Sequence, residues 1–200
     1  MEKKMNLGLT GGIASGKTTV LKMFKELGCK TLDCDKIARE VVRPKTTGLK
    51  EIVKIFGKKI LKKNGSLNRS KLGPLVFKNQ KKRKLLEKII HPKVIQVLQK
   101  KISAHTSGLL VIDIPLLFEA NLKNLTDKTI VVWAPKKLQI QRLIQRSGIN
   151  QMEANLRILC QWPLSKKKEL SDFLIDNSGT ILKTKKQVKK CLTKISQLVE

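Results

Sequence analysis

Aromatic residues are scarce: the 200-residue chain has no tyrosine, two tryptophans and five phenylalanines. Proteins that grip single-stranded nucleic acid stack bases on aromatic rings, and so few rings offer no such platform. Long apolar runs are missing as well. A membrane-spanning helix needs about 20 apolar residues. The best stretch, LLVIDIPLLF at 109–118, is shorter and is broken by Asp113 and Pro115. The opening MEKKMNLGLTGG has no secretory apolar core and no small-residue cleavage site. A soluble, cytoplasmic protein without a membrane partner is expected. The four cysteines (Cys29, Cys34, Cys160, Cys191) form no CxxC pair and have no histidine at metal-ligand spacing. Reduced thiols, mostly buried, are expected of them.

Acidic residues are also few, 15 Asp and Glu against 43 Lys and Arg, for a net charge of +28. Such a balance favours anionic ligands, and clustered cations would suggest a nucleic acid. Here the cations are spread along the chain, at 58–59, 62–63, 81–84, 166–168 and 183–190. No specific nucleic-acid partner is expected, and the charge alone does not identify the anion.

Apolar residues make up 40% of the chain, enough for a core at this length. MNLGLT (5–10) is a short apolar run that ends in a glycine loop, and TTVLKMFKELG (18–28) has helical periodicity with Gly28 as its stop. KTLDCD (30–35) reads as a second strand, followed by a helix that stops near Pro44. Residues 46–104 read as helical, with a turn at Asn64-Gly65. GLLVID (108–113), TIVVWA (129–134) and FLIDN (173–177) read as further strands, and the first two are continuous apolar runs suited to a sheet covered on both faces. Helical patterns lie at 136–146, 151–160 and 164–171. A last helix carries Val188, Cys191, Leu192, Ile195, Leu198 and Val199 on one face. Strands alternating with helices predict an α/β fold in three layers, a central parallel five-stranded sheet flanked by helices.

Gly11-Gly12-Ile13-Ala14-Ser15-Gly16-Lys17-Thr18 matches GxxxxGK[ST] at every fixed position, between a predicted strand and a predicted helix. Glycines let successive backbone N–H groups turn toward one anion, and the helix N-terminus adds its partial positive charge. This loop, with Thr19 behind it, is expected to hold the β- and γ-phosphates of ATP. Lys17 would reach those phosphates, and the Thr18 hydroxyl would help to hold Mg²⁺.

The pattern does not separate a kinase from a switch or a motor; the residues after it must. Asp33 and Asp35 bracket one residue at the end of the second strand, on the carboxyl edge where ligands collect. Asp33 suits a base for an alcohol. Asp35 suits either a substrate anchor or a helix cap before KIAREVV. Asp113 ends another strand, where a carboxylate on the Mg²⁺ side could sit.

Taken in order, the motifs resemble those of the dephospho-coenzyme A kinase family. GLTGGIASGKTT looks like that family's opening loop, and DCDKIA its D-x-D-x-I-A segment. NGSLNRSKLGPLVF, LLEKIIHP and DIPLLFE follow its middle pattern. LQIQRLIQRSG and RILCQWPLSKKKELSDFLIDNSG follow its lid helix and its closing Gln-x-Pro, Lys, Asp and Asn-x-Gly. The resemblance implies one P-loop kinase domain over 1–200, with a helical substrate-side region at 46–104 and a lid at 136–165. It also implies the last step of coenzyme A synthesis, transfer of the γ-phosphoryl of ATP to the 3′-hydroxyl of dephospho-coenzyme A.

The roles it implies are catalytic for Asp33, Lys17, Arg142 and Arg146. For Asp33, Asp35, Arg69, His91, Pro115, Leu116, Leu117 and Glu119 they are substrate-binding. Read without the resemblance, Arg142 and Arg146 are a solvated helix face, and His91 before Pro92 is a histidine that fixes a helix break. Trp162 reads as core or adenine-side packing. Ala14 stands where the family often has glycine, Thr18 where it usually has serine, and Cys34 where alanine is commoner. A nucleoside or nucleoside-monophosphate kinase and a basic nucleic-acid-binding ATPase are the competing readings. Oligomeric state is left open.

Overall fold

The computed structural model describes residues 3–198. It divides into two compact units: the described parts of Met1–Asp33 and Ile102–Glu200 form one, and Cys34–Lys101 forms the other.

The first unit is built on a five-stranded sheet. Its strands are β1 (Met5–Gly11), β2 (Lys30–Asp33), β3 (Leu109–Asp113), β4 (Lys128–Trp133) and β5 (Phe173–Asp176). They lie in the order β2-β3-β1-β4-β5, and every pairing is parallel. Successive side chains on a strand face opposite ways, and both faces are dry. Leu7, Leu9, Val111, Ile130, Val132 and Ile175 join one apolar cluster with α1 (Lys17–Glu26) and α9 (Ile181–Ser196). The alternate residues Leu110, Ile112 and Val131 are buried as well. The uninterrupted apolar runs of β3 and β4 follow from that double cover.

Helix α9 buries Thr184, Val188, Cys191 and Ile195, one stripe at helical spacing. The stripe stops earlier than its sequence predicts: the helix ends at Ser196, leaving Leu198 50% exposed. Val199 lies outside the described residues. Between β4 and β5 run α6 (Lys136–Ser147), α7 (Gln151–Leu159) and α8 (Leu164–Glu169), covering the predicted lid span.

The second unit is helical, with α2 (Cys34–Glu40), α3 (Thr47–Phe56), α4 (Arg69–Phe77) and α5 (Gln80–Ser103), which runs two residues past the unit's boundary. The side chains of Thr46 and Asn68 accept the N–H groups of Leu49 and Lys71, capping α3 and α4. A separate core holds Val42, Leu49, Ile52, Ile60, Leu67, Leu72, Val76 and Ile89. The expected turn at Asn64-Gly65 is present, with Gly65 at φ +75° and Leu61 bridged to Leu67 across it. The helix break expected at His91-Pro92 is not: α5 continues through Pro92. An internal proline removes one backbone hydrogen bond and costs about 3 kcal/mol. Burial of Ile89 and Leu98 on either side offsets that cost and keeps the helix whole.

Candidate active site

Thr10 and Gly11 finish β1, and the chain turns through Gly12–Gly16 into α1. Gly16 is the N-cap, at φ +97°. A Cβ there would be strained in conformation and would run into the amide of Asn177. At Gly12 a Cβ would come within 2.5 Å of Gln139 Oε1. The loop therefore needs glycine at these positions for two separate reasons, backbone angle and close approach. Ala14 also sits in the left-handed region, at φ +57°. A glycine there, as the family often has, would meet no such penalty; alanine bears about 1 kcal/mol or more. The first turn of α1 holds no acidic side chain, so the positive end of its dipole stays available to an anion.

Several side chains hold this loop from behind. Asn177 Nδ2 donates to Ser15 O at 2.8 Å, and Thr184 Oγ1 donates to Asn177 Oδ1 at 3.0 Å. Arg142 reaches the same places, donating from Nη2 to Asn177 O at 2.9 Å and from Nη1 to Ser15 O at 3.5 Å. Gln161 Oε1 accepts the Ile13 N–H at 2.8 Å, and Gln139 Nε2 donates to Ala134 O. Of the two arginines expected to act from a lid, Arg142 is bonded to the loop's backbone, while Arg146 is exposed near the end of α6.

Beside the loop, β2 and β3 end together. Asp33 and Asp113 are register partners in adjacent parallel strands, which puts two carboxyl groups at the carboxyl edge of the sheet. Asp113 is buried and Asp33 half-buried. Thr18 is exposed on the first turn of α1. Mg²⁺ takes oxygen ligands and completes its shell with phosphate oxygens and water. A threonine hydroxyl at the start of α1 and two carboxylates at the ends of β2 and β3 are oxygen donors of that kind. No group of three or more His, Cys, Asp or Glu able to hold a metal by themselves occurs among the described residues.

The segment after β3 is held by charge. Lys167 on α8 is fully buried, and its ammonium meets Glu119 Oε1 at 2.7 Å and Pro115 O at 3.2 Å. Thr10 Oγ1 donates to the same Pro115 carbonyl, and the Trp162 N–H donates to Glu119 Oε1. Burial pulls the Lys167 ammonium below the usual lysine range. The bond to Glu119 and its charge oppose that shift, and the charge of Lys17 adds to it. Within this segment Pro115 and Leu116 are half-buried, whereas Leu117 is completely buried and faces the core beside Gly8. Trp162 forms one wall of a cavity of about 310 Å³, with Trp133, Ile158, Leu159 and Leu164 beside Gly12. Lys166 Nζ lies 3.9 Å above the Trp162 ring.

The other expected substrate-side residues lie in the helical unit. Arg69 is the first residue of α4, Asp35 lies in the first turn of α2, and His91 is half-buried within α5. Asp35 is inside its helix, so it is not the residue before it that a cap requires. Burial pushes the Arg69 guanidinium below the usual arginine range. The charge of Arg39 pushes the same way, and that of Asp35 resists. These three charges therefore form one cluster.

Gln161 and Asn177 hold the phosphate loop, Lys167 holds the loop after β3, and Gln139 lies close against Gly12; the sequence alone gives none of the four a role. Gln161 and Asn177 stand in the Gln-x-Pro and Asn-x-Gly signatures. Lys167 is the middle of three consecutive lysines, and only the phase of a six-residue helix sets it apart.

A GxxxxGK[ST] loop joining a central parallel strand to a helix, with carboxylates at the ends of the neighbouring strands β2 and β3, defines a P-loop kinase. The family model described as Dephospho-CoA kinase matches residues 5–183. The chain is 46% identical over 187 residues to the dephospho-CoA kinase of Geobacillus kaustophilus, covering 92% of this chain and 93% of that protein. The crystal structure of TT1252 from Thermus thermophilus superposes with a TM-score of 0.81 at 29% identity, covering 97% of this chain and 98% of that one. Dephospho-CoA kinase from Campylobacter jejuni does so at 0.64, with the same identity and coverage. The chain belongs to the dephospho-CoA kinase family. It is a phosphotransferase, and the family's reaction is the ATP-dependent phosphorylation of dephospho-CoA to CoA. No helix among the described residues is long and apolar enough to cross a membrane.

Proposed function

We propose that this chain transfers the γ-phosphoryl of ATP to the 3′-hydroxyl of the ribose of dephospho-CoA, with Asp33 as the group that receives or orients the hydroxyl proton. The observation that carries this reading is the register pairing of Asp33 with Asp113 at the sheet edge, beside β1 and the phosphate loop that follows it. The loop from Gly11 to Thr19 grips the β- and γ-phosphates through backbone N–H groups and the Lys17 ammonium. Thr18 would hold Mg²⁺, which when bound neutralises charge on the phosphate oxygens.

In the transfer, the O3′–Pγ bond forms as the bond between Pγ and the bridging oxygen of ADP breaks, and the hydroxyl proton passes to Asp33. Lys17 stabilises charge on the transferring group. Arg142 holds the loop through Ser15 O and is the lid arginine closer to that task; Arg146, on the exposed turn, would act only on closure. The lid, 136–165, keeps water from taking the phosphoryl. In the helical unit, Arg69, Asp35 and His91 would select the acceptor, and a guanidinium at the start of α4 suits its phosphates. Pro115, Leu116 and Glu119 shape the acceptor's path mainly through backbone position, because Glu119 is already bonded to Lys167.

The test is ADP release with ATP and Mg²⁺, offering dephospho-CoA, adenosine, AMP and single-stranded RNA in parallel. Turnover confined to dephospho-CoA, with phosphorus NMR placing the new phosphate on the 3′ oxygen, is expected. Activity with another acceptor and none with dephospho-CoA would overturn the reading.

A further inference from the structure

We infer that the segment Gln161–Lys167 is a strut that positions the two loops of the active site independently, one from each end. Lys167 is a positioning residue for the acceptor side and Gln161 one for the ATP side; this rests on the functional reading above. At one end, Gln161 Oε1 binds the Ile13 N–H of the phosphate loop. At the other, the Lys167 ammonium binds Glu119 Oε1 and Pro115 O. Between them, the Trp162 N–H also binds Glu119 Oε1. Seven consecutive residues thus hold both the loop after β1 and the loop after β3.

The chemistry favours a built device over incidental packing. A lysine that is 0% exposed carries a desolvation penalty of several kcal/mol, so buried ion pairs seldom add net stability. What such a pair supplies is a fixed geometry. Lys167 has three donors: one goes to Glu119 and one to the Pro115 carbonyl, which also accepts from Thr10 at the end of β1. The loop after β3 is therefore referenced to the same strand that launches the phosphate loop. Glu119 Oε1 takes two donors, which fixes its carboxylate plane, while its buried Oε2 has no hydrogen-bond partner. Neither Lys167 nor Glu119 need touch a substrate for this to matter, because a misplacement of about 1 Å can cost about 100-fold in rate.

The double variant Lys167→Met/Glu119→Leu removes both charges and so leaves no lone buried charge to unfold the protein. Its partner in the test is Gln161→Leu. Melting temperature, ATP affinity, kcat and KM for each substrate, and hydrogen exchange over 10–14 and 113–121 would be measured. We expect the double variant to stay folded, with kcat/KM for dephospho-CoA down by at least about 10-fold, ATP affinity within about threefold, and faster exchange at 113–121. Gln161→Leu should do the reverse, weakening ATP by about 5- to 10-fold with faster exchange at 10–14 and little change in KM for dephospho-CoA. A folded double variant with wild-type kinetics and wild-type exchange at 113–121 would overturn the inference, as would both variants shifting both substrates equally. Wild-type protein inactive on dephospho-CoA would instead sink the functional reading, and the exchange data would still decide the strut.

Discussion

In the sheet unit, Asp33 and Asp113 end neighbouring strands and are held side by side by backbone register, whereas in the helical unit Arg69, Asp35 and His91 come from three different helices positioned by side-chain packing. The first arrangement is tied to a hydrogen-bond ladder and tolerates little movement. The second depends on a smaller apolar core. The proposed function assigns the two units different tasks: the sheet unit carries the chemistry, and the helical unit chooses the acceptor. Substitutions in the two units should then fail in different ways.

The largest effect should come from Lys17→Met, which removes the charged donor at the start of α1. Loss of one such donor costs about 10²–10³ in kcat. Stopped-flow ADP release should show that loss with little change in KM for dephospho-CoA. A rise confined to that KM would erase the contrast between the units. Arg69→Met comes next. It should raise KM for dephospho-CoA by roughly 10- to 100-fold, the value of one charged hydrogen bond, and leave KM for ATP alone. An equal loss for both substrates would place Arg69 in the chemistry and break the division.

Alkaline pH separates the units in another way. Burial pushes the Cys191 thiol up to about 11 from 9.0, against the smaller opposing charge of Lys194. The native state keeps that proton longer than the unfolded chain does. Its contribution, roughly 3 kcal/mol, is full below pH 9 and is lost as pH rises through about 11. Both tryptophans, Trp133 and Trp162, belong to the sheet unit. Tryptophan fluorescence in urea should therefore show falling stability between pH 9 and 11, and Cys191→Ala should flatten that slope. The smallest effect should be Ala14→Gly, which relieves a left-handed alanine and should stabilise the sheet unit by about 1 kcal/mol. A destabilised variant would show that the methyl group, or the stiffer loop, contributes more than the angle costs.

The same contrast explains what could be read from the sequence. The strands were legible because a doubly covered parallel strand must be an apolar run, and β1, β3 and β4 are such runs. The glycine loop was legible because it fixes residue types by conformation. In the helical unit the elements were legible only as helical periodicity. Nothing in HPKVIQ distinguished a broken helix from the continuous α5, because the outcome depends on how well Ile89 and Leu98 pack elsewhere. Lys167 was invisible among Lys166 and Lys168, since a six-residue helix gives too little pattern to show which lysine turns inward. The family pattern marks Arg142 as an arginine of the expected lid. Its hold on Ser15 O spans 127 residues of sequence and is set by the tertiary fold alone.

In the proposed function, Asp33 serves the acceptor hydroxyl and not ATP. The most direct test is a single-turnover measurement on Asp33→Asn, with ATP and Mg²⁺ already bound and dephospho-CoA added last. The asparagine keeps the size of the side chain and loses its basicity. We predict a transfer rate about 10²–10⁴-fold below wild type, with ATP affinity within about threefold. A rate near wild type would contradict the assignment, and so would a loss accounted for by weakened ATP binding.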